Sequence, residues 1–258
     1  MILIDQAAYC SPLQEVHAGE KLLLALSTMI MIIAMNSLLI SSLVLTVMTI
    51  LILGPARTAP SLYIKILLIP LGFILLGSLT VAVNTGPAWG EGVSYLSRGR
   101  FPLWVSQDSL FQALKLLVKC LAAISCMYFF SLTTPMVQLI QLLYRLRLPD
   151  VLVELTVLIY YYIFVFLTIA EQMYQAQNAR CGYQGWKQSL YSLSQLSANL
   201  LIKSLKACDD AYNGLVSRGY CGSFYMLEEE QSWNTRHVLG IIGLNLVLLL
   251  VYVNNPLS

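Results

Sequence analysis

Charged side chains are scarce in this chain of 258 residues: 11% are Asp, Glu, Lys or Arg. Soluble globular domains carry about 25%. Five stretches contain no charge at all, residues 22–53, 66–90, 120–144, 155–170 and 238–258. Because a helix that crosses a bilayer needs roughly 20 apolar residues, most of these stretches are long enough, or nearly so, to be membrane spans. A soluble protein of this size could bury one or two of them but not five, so the composition predicts an integral protein of the lipid bilayer.

The motifs of independent chemistry are also missing. The chain has no Gly-x-x-x-x-Gly-Lys-Ser/Thr phosphate loop, so we do not expect it to bind ATP by itself. Its two histidines, His17 and His237, have no second ligand at the spacing of a metal site. We therefore expect no catalytic residues and no directly bound metal or cofactor. The net charge of +2 is too small to indicate nucleic acid as a partner.

What is present is a series of apolar helical stretches separated by Gly and Pro clusters. They predict an all-α fold, namely a polytopic α-helical membrane protein with five or six membrane helices and long amphipathic cytoplasmic helices. We divide the chain into an N-terminal transmembrane region (1–170), a polar helical region (171–235) and a C-terminal transmembrane helix (236–258). Residues 22–53 are too long for one upright span and short for two. They form either a tight hairpin of short helices or one strongly tilted helix.

The region 171–235 has a clear helical period. Apolar side chains recur there at steps of three and four residues, which predicts one amphipathic helix face. This face comprises Leu193, Leu196, Leu200, Leu201, Leu205, Cys208, Tyr212 and Leu215. Basic residues in the region place it in the cytoplasm by the positive-inside rule. The same rule applied to Arg145 and Arg147 conflicts with full spans on both sides, and the sequence leaves the topology open.

Two similar tripeptides stand in this region, Ala179-Arg180-Cys181 and Ser217-Arg218-Gly219. Each comes where a helical pattern ends, and a glycine and a tyrosine follow each arginine within three residues. An arginine at a helix end presents a planar five-donor group that can bind carboxylates of a partner bidentately. Alternatively, each arginine bonds the last carbonyls of its own helix. The repetition favours docking on a partner with two equivalent grooves.

With these motifs the sequence resembles the transmembrane T component of energy-coupling-factor transporters, cobalt-type CbiQ family. That family carries two short arginine motifs, often Ala-Arg-Gly, in cytoplasmic coupling helices. Three further segments look like the cobalt-type branch: Asp5 to Ser11 followed by Glu20-Lys21, Leu132-Thr-Thr-Pro135 followed by Arg145-Leu-Arg-Leu-Pro149, and Arg218-Gly-Tyr-Cys-Gly222. The sequence departs from the family at Cys181, at Ser217 and at Tyr160-Tyr161-Tyr162, where the branch often has an arginine.

The resemblance implies a coupling subunit without catalytic activity in a multi-pass location in the inner (plasma) membrane. Two ATP-binding cassette ATPase subunits, which hold ATP and Mg, would grip Arg180 and Arg218. The apolar face of the coupling helices would pass the ATPase motion to a separate substrate-binding S component, possibly with a small accessory membrane subunit. The cargo would be cobalt, with nickel or a vitamin as alternatives.

Two other functions stay open from the sequence. A stand-alone carrier or channel would use 171–235 as a cytoplasmic regulatory domain. A membrane enzyme would need polar groups at one depth, and only Lys115 and Lys119 offer any.

Overall fold

The computed structural model describes residues 2–85, 94–97, 103–146, 148–220 and 233–254. The chain divides into two compact units, one of Met1–Leu139 with Glu230–Ser258 and one of Ile140–Glu229. The predicted division at residues 170 and 235 stays a prediction.

Helices dominate the described residues, which confirms the predicted fold class. They are α1 Ile2–Cys10, a 3-10 helix Pro12–Glu15, α2 Ala18–Ala34, α3 Leu38–Leu53, α4 Pro60–Ala82, α5 Gln107–Thr133, α6 Met136–Arg145, α7 Asp150–Ala179, α8 Trp186–Ser217 and α9 Thr235–Asn254. Three short strands, β1 Asn84–Thr85, β2 Ser94–Ser97 and β3 Leu103–Val105, form an antiparallel sheet in the order β1-β3-β2. The Gly, Pro and Trp residues of 84–108 predict a loop, so the three strands are a correction to that prediction.

Four of these helices are long and apolar enough to cross a membrane: α4, α5, α7 and α9. Helix α3 is apolar too but shorter, with 16 residues. The chain is therefore a multi-pass membrane protein. The predicted number of five or six membrane helices stays a prediction.

Helix α5 is the centre of the first unit, and α2 runs antiparallel to it. Three contacts fix the register. Lys21 Nζ donates to Thr133 O at 2.9 Å, and Thr28 Oγ1 lies 3.5 Å from Cys126 Sγ. At the other end of α2, Lys119 Nζ donates to Ile33 O at 3.2 Å. The end of α2 therefore lies beside the middle of α5.

Residues 22–53 form two helices rather than one, which confirms the hairpin alternative. Helix α2 ends at Ala34 and α3 begins at Leu38. Lys119 Nζ also donates to Asn36 Oδ1 at 3.3 Å, so one ammonium group bonds both the end of α2 and the turn after it. A cation at a helix C-terminus is favourable because the helix dipole is negative there.

Helix α4 packs antiparallel to α5, and polar contacts join the two helices near both ends of α4. Tyr63 OH lies 3.1 Å from Ser125 Oγ, and Tyr128 OH donates to Ile66 O at 3.1 Å. At the opposite end, Ser109 Oγ donates to Ala82 O at 3.1 Å. The unit therefore combines an apolar core with side-chain hydrogen bonds to helix carbonyls. In the apolar part of a bilayer no water is present to bond these carbonyls instead.

Sequence signals explain where α5 begins and ends. Ser106 and Ser109 form a capping box at its start. At its end, Thr134 N still bonds Phe130 O, and the following Pro135 separates α5 from α6. Thr133, Thr134 and Pro135 predict a helix break followed by a short amphipathic helix that runs to Arg145, and the structure confirms both.

Replacing Lys119 with Met should lower the unfolding free energy by about 1–2 kcal/mol, because Ile33 O and Asn36 Oδ1 lose their charged donor. Thermal unfolding in detergent, followed by tryptophan fluorescence, measures the change. Lys65→Met is the matched control, since Lys65 is exposed. Equal stability of the two variants would contradict a bonding role for Lys119.

Candidate functional site

The two arginine motifs end α7 and α8 with the same backbone geometry. Arg180 has φ −92° and ψ 15°, and Arg218 has φ −96° and ψ 9°. At the first end, Arg180 N and Gly182 N both donate to Gln177 O, at 3.1 and 2.9 Å. At the second end, Arg218 N and Tyr220 N both donate to Leu215 O, at 3.0 Å each. The two tripeptides are thus one structural motif used twice.

The residue after each arginine lies in the left-handed region, with φ 58° at Cys181 and 80° at Gly219. This conformation lets the chain turn back so that the next N–H reaches the helix carbonyl. Glycine adopts it without steric cost, whereas a side chain with a Cβ costs roughly 1–2 kcal/mol. Cys181 therefore carries strain that Gly219 avoids. Position 181 is also one at which the sequence departs from the family pattern.

The turn between α7 and α8 is braced by buried polar contacts. Ser192 Oγ donates to Gly182 O at 2.7 Å, and Gln177 Nε2 donates to Ser192 O at 3.1 Å. Tyr183 OH donates to Gln177 Oε1 at 2.7 Å and its ring packs on Tyr174. A Cβ at position 182 would lie 2.9 Å from Gln177 O, so the turn leaves room only for glycine there. These contacts hold the first arginine end in a defined orientation.

The second arginine end is held by a contact with the start of α7. Tyr220 OH donates to Glu154 Oε2 at 2.8 Å. This hydrogen bond to a carboxylate raises the pKa of the Tyr220 phenol. Tyr162 OH donates to Ala207 O at 3.2 Å further along, so α8 pairs antiparallel with α7 over most of its length. The sequence alone gave no sign of the contacts between Gln177 and Ser192 and between Glu154 and Tyr220, because they join residues 15 and 66 positions apart.

Both arginine side chains are exposed. Within the part of the chain that the structure describes, neither guanidinium group makes a hydrogen bond or an ion pair. The carbonyls at both helix ends are instead bonded by backbone N–H groups. This geometry does not match the alternative in which each arginine caps its own helix. A role in docking stays a prediction, and Cys221 and Gly222 of the second motif lie outside the described residues.

The predicted apolar face of α8 is divided between two environments. Three of its residues, Leu196, Leu200 and Leu215, are half-buried. The other five are exposed, Leu193, Leu201, Leu205, Cys208 and Tyr212, and the last four of them form a stripe at steps of three and four residues. The sequence period alone could not separate these two sets, because both repeat at helical spacing.

The described residues contain no group of three or more His, Cys, Asp or Glu side chains placed to hold a metal ion. The features they do contain are a mainly helical membrane fold and two matched, exposed arginine ends, one on α7 and one on α8. These features define the class as a polytopic α-helical membrane protein.

Comparison with protein families gives the particular family. The model of the CbiQ family, described as "Cobalt transport protein", matches residues 10–232. The chain therefore belongs to the CbiQ family, as the sequence motifs predicted.

Three relatives from archaea and bacteria are similar over much of the chain. A "Putative fused cobalt transport protein CbiMQ" from Methanocorpusculum labreanum is 34% identical over 88% of this chain, which spans 38% of that relative's length. An uncharacterised protein from Methanocaldococcus jannaschii is 28% identical, with 96% of this chain and 92% of the relative covered. "Cobalt transport protein CbiQ" from Rhodobacter capsulatus is 27% identical, with 72% and 71% covered.

Cys181→Gly should raise the unfolding free energy by about 1 kcal/mol, because glycine relieves the left-handed strain at φ 58°. The midpoint of thermal unfolding in detergent reports the gain. A loss of stability would mean that the Cys181 side chain makes a contact that outweighs its strain.

The reciprocal change, Gly219→Cys, should lower the unfolding free energy by about 1 kcal/mol or more. A Cβ at position 219 has no described atom within 4 Å, so backbone strain alone causes the expected loss. Gly214→Cys is the control within α8, where a Cβ also has open space but φ is helical. If both cysteines cost the same, the left-handed conformation is not what position 219 requires.

Proposed function

We propose that this chain is the transmembrane coupling subunit of an ATP-driven importer of the energy-coupling-factor type, with cobalt ion as its cargo. Two ATPase subunits, each with ATP and Mg, bind Arg180 and Arg218. Helices α7 and α8 transmit their motion to a separate substrate-binding membrane subunit. The chain itself performs no catalysis in this scheme.

The observation that carries the proposal is the repeated geometry of the two arginine ends. Each presents an exposed guanidinium group at a helix end whose carbonyls are already bonded by backbone N–H groups. Such a group is free to bind carboxylates in a partner's groove bidentately. Two copies of one motif suit two copies of one partner.

The spacing of the two ends also supports a paired partner. Arg180 precedes α8 and Arg218 follows it. Because an α-helix rises about 1.5 Å per residue, the 32 residues of α8 separate the two arginines by about 48 Å. One helix can therefore contact two subunits that lie side by side.

We place region 171–235, and with it both arginine ends, on the cytoplasmic side, because the region carries Arg180, Lys187, Lys203, Lys206 and Arg218. Helix α7, which is long and apolar enough to cross a membrane, enters this region at its C-terminal end.

The cargo and the partner come from the family. The CbiQ family model is described as a cobalt transport protein, and the M. labreanum relative is named as a fused CbiMQ. We propose that the substrate-binding partner of this chain is a CbiM-like membrane subunit. The exposed stripe on α8 is the surface we assign to its contact.

Arg180→Ala combined with Arg218→Ala should abolish co-purification of the ATPases and ATP-dependent cobalt uptake, while membrane insertion of the chain stays unchanged. Affinity purification through a tag on this chain, followed by mass spectrometry, measures the association. Arg→Lys at both positions should also impair it strongly, because a point charge cannot replace the planar five-donor group.

Arg236→Ala is the matched control, since Arg236 is also exposed and lies at the start of a helix rather than at its end. It should leave ATPase association intact. Normal ATPase recovery with the double alanine variant would refute the docking role. Uptake by the purified chain alone in liposomes would instead favour a stand-alone carrier.

A further inference from the structure

The first turn of α2 contains two neighbouring charges of opposite sign that are almost completely buried. Glu20 is 2% exposed and Lys21 is 3% exposed. Burying a charge is costly unless bonds compensate it, so each side chain needs partners. The partners they find lie in two separate segments of the chain.

Lys21 holds the segment that leaves the first unit. Its Nζ donates to Thr133 O at 2.9 Å and to Gln138 Oε1 at 3.4 Å. Gln138 Nε2 in turn donates to Gln14 O at 2.7 Å. Burial lowers the pKa of Lys21 to about 8, and the charge of Glu20 opposes that shift. The chain passes into the second unit directly afterwards, after Leu139.

Glu20 holds the segment that returns to the first unit. It accepts hydrogen bonds from Asn234 N at 2.7 Å and from His237 Nδ1 at 2.9 Å. Trp233 packs on the ring of His17, with the ring centroids 4.8 Å apart. The return segment of the first unit starts at Glu230, only a few residues earlier.

We propose that Glu20 and Lys21 are positioning residues for coupling: one turn of α2 holds both chain segments through which the two units are joined. This inference rests on the proposed function, because it assigns the point at which displacement of α7 and α8 reaches the first unit. Both covalent connections converge on adjacent residues, so a pull on either connection acts on α2. Since α2 packs along α5, the pull is delivered to the centre of that unit.

The holding contacts are tested first on the isolated full-length chain by hydrogen–deuterium exchange. Glu20→Met should speed exchange roughly tenfold in residues 233–237 only, and Lys21→Met should do the same in 134–139 only. The controls are Glu15→Met and Lys65→Met, which replace exposed side chains of the same types. Unchanged exchange in both segments would overturn the inference.

The positioning role is tested in the complex purified with its ATPases and reconstituted in liposomes. Glu20→Met and Lys21→Met should keep ATPase association and ATP hydrolysis but lose most of the Co²⁺ uptake per ATP hydrolysed. His237→Ala is the milder variant. The His237 side chain is half-exposed, and its loss removes one contact to Glu20 while Lys21 is unchanged. It should show a partial loss of the same ratio.

The outcomes separate this inference from the proposed function. Faster local exchange with an unchanged ratio of uptake to hydrolysis would leave Glu20 and Lys21 as stabilising residues and overturn their role in coupling. A lower unfolding temperature of all three variants with an unchanged ratio would lead to the same conclusion. An unmodified chain that recovers no ATPase would refute the proposed function itself, whatever the exchange data show.

Discussion

The carbonyl groups at the end of an α-helix have no partner within that helix, and in an apolar environment each must find a donor elsewhere. This requirement governs both units of the protein. In the first unit two lysines supply additional donors: Lys119 bonds the end of α2 and Lys21 bonds the end of α5. In the second unit backbone N–H groups supply them, through left-handed residues at Cys181 and Gly219. The register of α2 on α5 and the orientation of both arginine ends depend on these bonds.

The two solutions have different consequences for the side chains nearby. Where a lysine bonds the helix end, its ammonium group is used inside the unit to hold two helices together. Where the backbone satisfies the helix end, the neighbouring arginine is not needed by its own helix and stays exposed. The first solution links neighbouring helices of the first unit, and the second leaves Arg180 and Arg218 exposed. For this reason we assign a packing role to Lys21 and Lys119 and propose a docking role for Arg180 and Arg218.

The ends of the two helices that carry the arginines were predictable because their signals are local. A glycine-rich stop after a helical period, with an arginine before it, predicted both helix ends. The break at Thr133-Thr134-Pro135 was predictable for the same reason, since Pro135 prevents α5 from continuing. The sequence could not decide between one tilted helix and two short helices for residues 22–53. The turn between the two helices is bonded by Lys119, which lies 83 residues after Asn36. The division of the α8 face was hidden as well, since burial against α7 leaves no trace in the period of α8.

The sequence by itself determined the class of the protein, the helix break at Pro135 and the two helix ends that carry the arginine motifs. Those features follow from composition, hydrophobic period and short-range steric rules, which act within one or two helical turns. Only the tertiary structure decided how the buried charges are paired. Glu20 and His237 are 217 positions apart, and nothing in either neighbourhood specifies the other. Their contact exists because α2 and α9 start side by side in the folded unit, where an unpaired buried carboxylate would be too costly to keep.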